Sequence, residues 1–150
     1  MDRQNCHSIQ AYLYEQIPLS RAMEVRVVEV SNELVILAAP LLANINHHST
    51  VFGGSASAVA ILSAWTLINF RLKNEAIDSR LVIQKNTVSY DRPIVGDFEA
   101  VCSLNEPEKW ERFTKILRRK QKSRITLNSS IQYQAEQVVK FEGVFVALGL

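Results

Sequence analysis

From Val51 to Phe70 the chain runs for 20 residues without a charged side chain, in a protein of 150 residues in which 21% are charged. A segment of that length is either a membrane span or the centre of a soluble core. Gly53, Gly54, Ser55, Ser57, Ser63, Thr66 and Asn69 dilute its hydrophobicity, which favours the core. No membrane association is expected. The pattern predicts a helix from about Ser55 to Leu72, and a helix apolar or small all round needs other elements wrapped about it.

The rest of the chain supplies those elements. Ile9, Tyr12, Leu13 and Ile17 fall at helical spacing before Pro18, which predicts a short amphipathic helix ended by the proline. Met23, Val25 and Val27 alternate with Glu24 and Arg26, as a half-buried strand does. Ser31-Asn32 then reads as a turn into a second strand, Leu34 to Ala39. Pro40 to Phe52 is a polar loop. After the long helix come strands at Leu81 to Tyr90 and Phe98 to Leu104. A second amphipathic helix follows, from about Glu108 to Lys120, with Trp110, Phe113 and Leu117 inward. Two closing strands, Ile125 to Tyr133 and Val139 to Phe145, end the chain. Adjacent strands joined by short turns give an antiparallel sheet, so the expected fold is α+β, one domain over 1–150, with the sheet wrapped around the long helix.

Charge is unevenly spread. The chain has 17 basic and 15 acidic residues, a net +2, but eight of the basic ones lie between Lys109 and Arg124 beside Glu111 alone, leaving nine basic against 14 acidic elsewhere. Arg112, Lys115 and Arg119 share one face of the second helix. A solvated outer face accounts for them most simply; capture of phosphates or of an acidic partner comes second, and nucleic acid last, because no RNA-binding aromatic motif or helix-turn-helix accompanies the stripe. Cys6 and Cys102 have neither zinc nor CxxC spacing, and MDRQNCHSIQ lacks the apolar run of a signal peptide. A reduced, cytoplasmic location is therefore expected, with no metal and no cofactor.

The segment Asn44-Ile45-Asn46-His47-His48-Ser49-Thr50-Val51-Phe52-Gly53-Gly54-Ser55 resembles the loop and helix start of hotdog-fold thioesterases. In the common form of that motif an Asn precedes His-Gly-Gly by six residues; here Asn46 precedes Phe52-Gly53-Gly54 by six. Val88 to Asp97, with Tyr90, Arg92-Pro93 and Gly96-Asp97, resembles the strand in which an aromatic, Arg-Pro and Gly-Asp recur. Phe52 to Ser55 together with Ala64-Trp65 is most similar to the bacterial putative-thioesterase domain that in some proteins follows an N-acetyltransferase domain, for which 150 residues leave no room. The resemblance implies the hotdog fold, cleavage of acyl thioesters of coenzyme A or an acyl carrier protein, and a homodimer or higher homo-oligomer with sites at the subunit interface. The sequence also departs from the family. Many hotdog thioesterases carry an acid on the central helix where Ile61 stands here, and no Asp or Glu occurs from Leu34 to Asn74. His-Phe-Pro and Asp-x-Asn-Pro-x-His, which mark the dehydratase and hydratase branches, are absent.

Thioester hydrolysis places negative charge on the carbonyl oxygen, and free backbone N–H groups at a helix N-terminus stabilise it. Gly53 and Gly54 are the oxyanion candidates, with Ser55 and Phe52 beside them; the plain alternative is tight packing of the glycines with Ser55 as an N-cap. Asn46 is a candidate for holding the carbonyl or the attacking water. His48 is the candidate general base and His47 a substrate contact; adjacent histidines are expected to point to different sides, so at most one faces the site. Arg112, Lys115 and Arg119 are candidate phosphate or carrier contacts. Asp91, in the strand motif, could reach a site across a dimer interface, but a solvated or structural Asp91-Arg92 pair is the expectation. A second reading from a different class is a non-catalytic acyl-ligand binding or regulatory protein, motivated by the acid-free stretch.

Overall fold

The computed structural model describes residues 3–150. Leu13 is buried on α1 (Arg3–Gln16), which ends just before Pro18 as expected, but a further role falls to Pro18. Its fixed φ and missing N–H suit the first position of a helix, so it opens a second, short one, α2 (Pro18–Ala22). That displaces the first strand. Met23 is taken up in closing α2 and Glu24 is left-handed at φ 54°, so β1 is Arg26–Val30 rather than Met23 to Val27. It forms a hairpin with β2 (Leu34–Ala39), and a single 3-10 turn, Leu42–Asn44, follows.

The charge-free segment is the helix α3 (Gly53–Asn74). Ala56, Ala60 and Ala64 recur every four residues and are at most 1% exposed, so the sheet approaches the helix backbone closely along that row. Leu67, Ile68 and Leu72 fill the space beyond it, each fully buried side chain contributing about 1.5–3 kcal/mol. Ser63 Oγ lies 2.7 Å from Ser129 Oγ and 2.7 Å from the Ala60 carbonyl oxygen that accepts its proton, so this buried hydroxyl is satisfied.

Around α3 are β3 (Ser79–Tyr90), β4 (Phe98–Ser103), β5 (Lys122–Tyr133) and β6 (Glu136–Gly149), with α4 (Pro107–Lys120) between β4 and β5. All strand pairs are antiparallel and the order is β1-β2-β4-β5-β6-β3. This six-stranded sheet curled about one long helix is the hotdog arrangement. Although β3 and β4 are neighbours in sequence, they do not pair. The segment between them, with Pro93 and Gly96, leaves the sheet, and Ile94 accepts a hydrogen bond from Val51 N–H in the loop before α3. β3 instead pairs with β6, from Ser79↔Gly149 to Tyr90↔Val139. On β6 a Cβ at Gly143 would lie 2.6 Å from the Phe141 ring and 2.9 Å from that of Phe145, so glycine lets both rings close over the strand.

Candidate functional site

The loop ahead of α3 is held by backbone pairs. Ile45 and Val51 form an isolated bridge, and Phe52 N–H donates to Asn44 O at 2.7 Å. Asn44 is 3% exposed, and its Nδ2 donates to Met23 O at 3.0 Å and Pro40 O at 2.8 Å. The spacing to the glycines singled out Asn46, yet Asn44 is the one that ties the loop to the body. Asn46 builds the turn within the bridge. Its Oδ1 accepts from the N–H groups of His48 (2.8 Å) and Thr50 (3.1 Å), and its Nδ2 donates to Thr50 Oγ1 at 2.8 Å. The Asn46 amide is thus committed to the turn instead of being turned towards the helix start. His47 and His48 are both exposed, and their rings lie 3.8 Å apart rather than pointing to different sides.

Phe52 occupies the N-cap position of α3 without a side-chain cap, and its carbonyl accepts from Ser55 and Ala56. Ser55 is therefore the third residue of the helix and not its cap. The N–H groups of Gly53 and Gly54 have no partner among the described residues, and both sit at the positive end of the helix dipole. Neither glycine has a positive φ, so backbone freedom does not select them. A Cβ at Gly54 would run into the Phe52 ring, which itself is 58% exposed. A Cβ at Gly53 would meet Tyr90 at an ordinary 3.5 Å. Tyr90 Oη donates to Gly53 O at 3.2 Å, pinning the end of β3 to the start of α3.

Beside that junction opens a cavity of about 350 Å³ lined by Gly53, Ala56, Tyr90, Asp91, Arg92 and Val139, among others. Asn46, His47 and His48 are outside its lining. Asp91 and Arg92 do not pair as expected: Arg92 forms an ion pair with Glu136, while Asp91 Oδ1 accepts from Ser89 Oγ at 3.0 Å and Oδ2 lies 3.7 Å from Lys140 Nζ. Asp91 N–H donates to Val138 O at 2.8 Å, so its backbone is fixed by β6. Ile61, where the resemblance places an acid, is half-buried on α3. Among the described residues no group of three His, Cys, Asp or Glu is placed to hold a metal ion.

The basic stripe lies at the other end of α3. Trp110 of α4 donates from Nε1 to Glu75 Oε1 at 2.6 Å, Arg71 stacks 4.2 Å above the Trp110 ring, and Arg118 comes within 3.6 Å of Glu75. Glu75 follows Gly53 by 22 residues, roughly 33 Å along a helix axis at about 1.5 Å per residue. Arg112, Lys115 and Arg119 are all exposed; Lys115 and Arg119 border a shallow depression with Arg118, and Arg112 does not. Within one chain the basic helix and the helix start are therefore separate places. Cys102 is no hidden nucleophile, since burial pushes its thiol up to about 12, with Lys109 pulling weakly the other way.

Residues 6–149 match the family model described as putative thioesterase (yiiD_Cterm). A protein of unknown function from Chlorobaculum tepidum TLS superposes with a TM-score of 0.93 at 27% identity, over 99% of this chain and 96% of that one. A putative thioesterase from Shewanella oneidensis gives 0.87 at 20% identity, over 98% and 99%. A thioesterase from Haemophilus influenzae gives 0.76 at 9% identity, over 97% and 91%, a likeness of fold.

Proposed function

We propose that this chain, which belongs to the putative thioesterase family, hydrolyses acyl thioesters of coenzyme A or of an acyl carrier protein without a metal ion. The observation that carries the reading is the pair of unpartnered N–H groups, Gly53 and Gly54, at the start of α3 beside a cavity of about 350 Å³. A thioester carbonyl brought there has its developing oxyanion met by two backbone donors and the positive helix end, and removal of one such donor from an oxyanion site typically costs about 10²–10³ in kcat. Phe52 lies beside the reacting carbonyl as an exposed apolar surface for the acyl chain. Asn46 and its turn keep the loop in place, with His47 and His48 on its outer side.

The site is completed by a second copy of the chain. β3 is a 12-residue edge strand, bonded on one side only, with Val82 and Tyr90 exposed. Pairing two such edges covers them and brings a second subunit next to each helix start. That arrangement is also how Arg112, Lys115 and Arg119 come near a ligand whose acyl end is at Gly53, since a single chain keeps them about a helix length apart. The same reading makes the protein a single hotdog domain of the bacterial cytoplasm, for which the free thiols of Cys6 and Cys102 are suited.

A panel of short, medium and long acyl-coenzyme A esters, with free coenzyme A followed by chromatography, tests the proposal; release above the buffer blank for at least one ester is expected. The acid-free length of α3 favours one other reading, ligand binding without hydrolysis. No turnover combined with a rise in melting temperature on adding acyl-coenzyme A would establish it.

A further inference from the structure

We infer that Tyr90 is a positioning residue of the oxyanion site, acting through the peptide bond between Gly53 and Gly54; the inference rests on the thioesterase reading above. The carbonyl of Gly53 and the N–H of Gly54 belong to one planar, conjugated peptide unit. Tyr90 Oη donates to that carbonyl at 3.2 Å, while the N–H at the other end of the unit is one of the two unpartnered donors. A proton held at the carbonyl oxygen draws electron density from the nitrogen and so makes the N–H a stronger donor. It also fixes the plane in which that N–H lies. The carbonyl has two lone pairs, so the tyrosine bond adds to the helical one instead of replacing it.

The second donor is supported differently. Gly53 N–H shares its unit with the Phe52 carbonyl, which accepts from Ser55 and Ala56, both within α3. Among the described residues the Tyr90 hydroxyl is the only group outside α3 that bonds to either unit. Its own support is rigid: Tyr90 pairs with Val139 at the end of the β3–β6 ladder, and the next N–H, that of Asp91, donates to Val138 O at 2.8 Å. Tyr90 also lines the cavity onto which Gly53 opens. The contribution grows as the reaction proceeds. A ground-state thioester carbonyl draws little on the Gly54 N–H, whereas the oxyanion draws strongly, and the density it displaces along the peptide collects on Gly53 O, where the tyrosine proton meets it. The bond therefore acts on kcat more than on KM.

The test compares the wild type with Tyr90→Phe, which removes the hydroxyl and keeps the ring. With the acyl-coenzyme A ester that turns over fastest, kcat is expected to fall about two- to eightfold with KM unchanged, from a polarisation of about 10–30% acting on a donor worth about 10²–10³ in rate. A second readout needs no substrate. Gly53-Gly54 is the only pair of adjacent glycines in the chain, so protein labelled with glycine carrying ¹³C at the carbonyl and ¹⁵N gives one directly bonded ¹³C–¹⁵N signal, that of this peptide. In Tyr90→Phe its carbonyl carbon and its amide proton should both move upfield. A lower kcat with that signal in place overturns the inference, because the loss then bypasses the peptide. A kcat equal to wild type in the folded variant overturns it too, leaving Tyr90 a structural fastener. If Tyr90→Phe fails to fold, a monofluorinated tyrosine in place of Tyr90, a stronger donor, should raise kcat and move the signal downfield, and no change in either overturns the inference. A wild type that hydrolyses no ester overturns the thioesterase reading as well, an outcome distinct from an active wild type that is indifferent to the Tyr90 hydroxyl.

Discussion

The two ends of α3 are finished in opposite ways. At the C-terminal end Glu75 accepts from Trp110, Arg118 closes on the same carboxylate and Arg71 covers the indole, so these side chains are partnered and the aromatic ring is 3% exposed. At the N-terminal end two N–H groups have none, a phenylalanine lies open to solvent and the nearest contact from another element is one tyrosine hydroxyl. Burial and polar satisfaction at one end make a stable attachment. Their lack at the other costs stability and makes a place where a ligand finds donors already aimed.

That contrast can be broken at either end. Trp110→Ala should cost about 3–5 kcal/mol, the range for truncating a buried tryptophan, seen as a large fall in melting temperature; at a temperature where the variant is still folded, kcat should stay within about twofold of wild type. A collapse of kcat in the folded variant would join the two ends functionally. Gly53→Pro does the reverse. Proline suits the first helical position, Phe52 already has the extended backbone that precedes a proline, and a Cβ at 53 meets only ordinary contact. One oxyanion donor is lost with the helix intact, so kcat should fall about 10²–10³-fold with the melting temperature unchanged or raised; full activity would remove the Gly53 amide from the chemistry. Asn46→Ala takes three hydrogen bonds from the turn and should cost about 1–2 kcal/mol of stability. A loss of turnover at unchanged melting temperature would return Asn46 to direct contact with substrate. The smallest effect is expected from reversing Arg112, Lys115 and Arg119 to Glu, which should raise KM for acyl-coenzyme A by about tenfold, less at high salt, with kcat unaffected; a KM equal to wild type at all salt concentrations would make the stripe a solvated face.

What was legible in the sequence follows the same division. The long helix, the basic helix and the hairpin were readable because apolar spacing is local and the core that reads it is continuous. Pro18 marked the end of α1, but its second role, opening α2, was not legible because both roles have the same sequence signature and the second depends on whether the residues after it can bury a face; Ser20 does, at 0% exposure. The pairing of β3 with β6 is a long-range fact to which no turn residue points. At the site the glycines and the strand motif stood out, whereas the division of labour between Asn44 and Asn46 did not, since both are Asn in one polar loop and only tertiary partners separate them. Asp91 and Arg92 look like a pair because they are adjacent, but neighbours on an extended chain diverge, and each found its partner on β6.

Because the edge strand is bonded to the last strand and not to its neighbour in sequence, its docking is the late event of folding. Residues 79–90 have no ladder to join until residues 139–149 exist, so on the ribosome this edge waits for the end of the chain, and the hydroxyl that clasps the start of α3 waits with it. Closing so wide a loop is slow, and until it closes the strand is free to pair wrongly with another chain. Shortening the chain by its last few residues would unzip the ladder from its Ser79 end, loosening the edge through which two copies are proposed to meet.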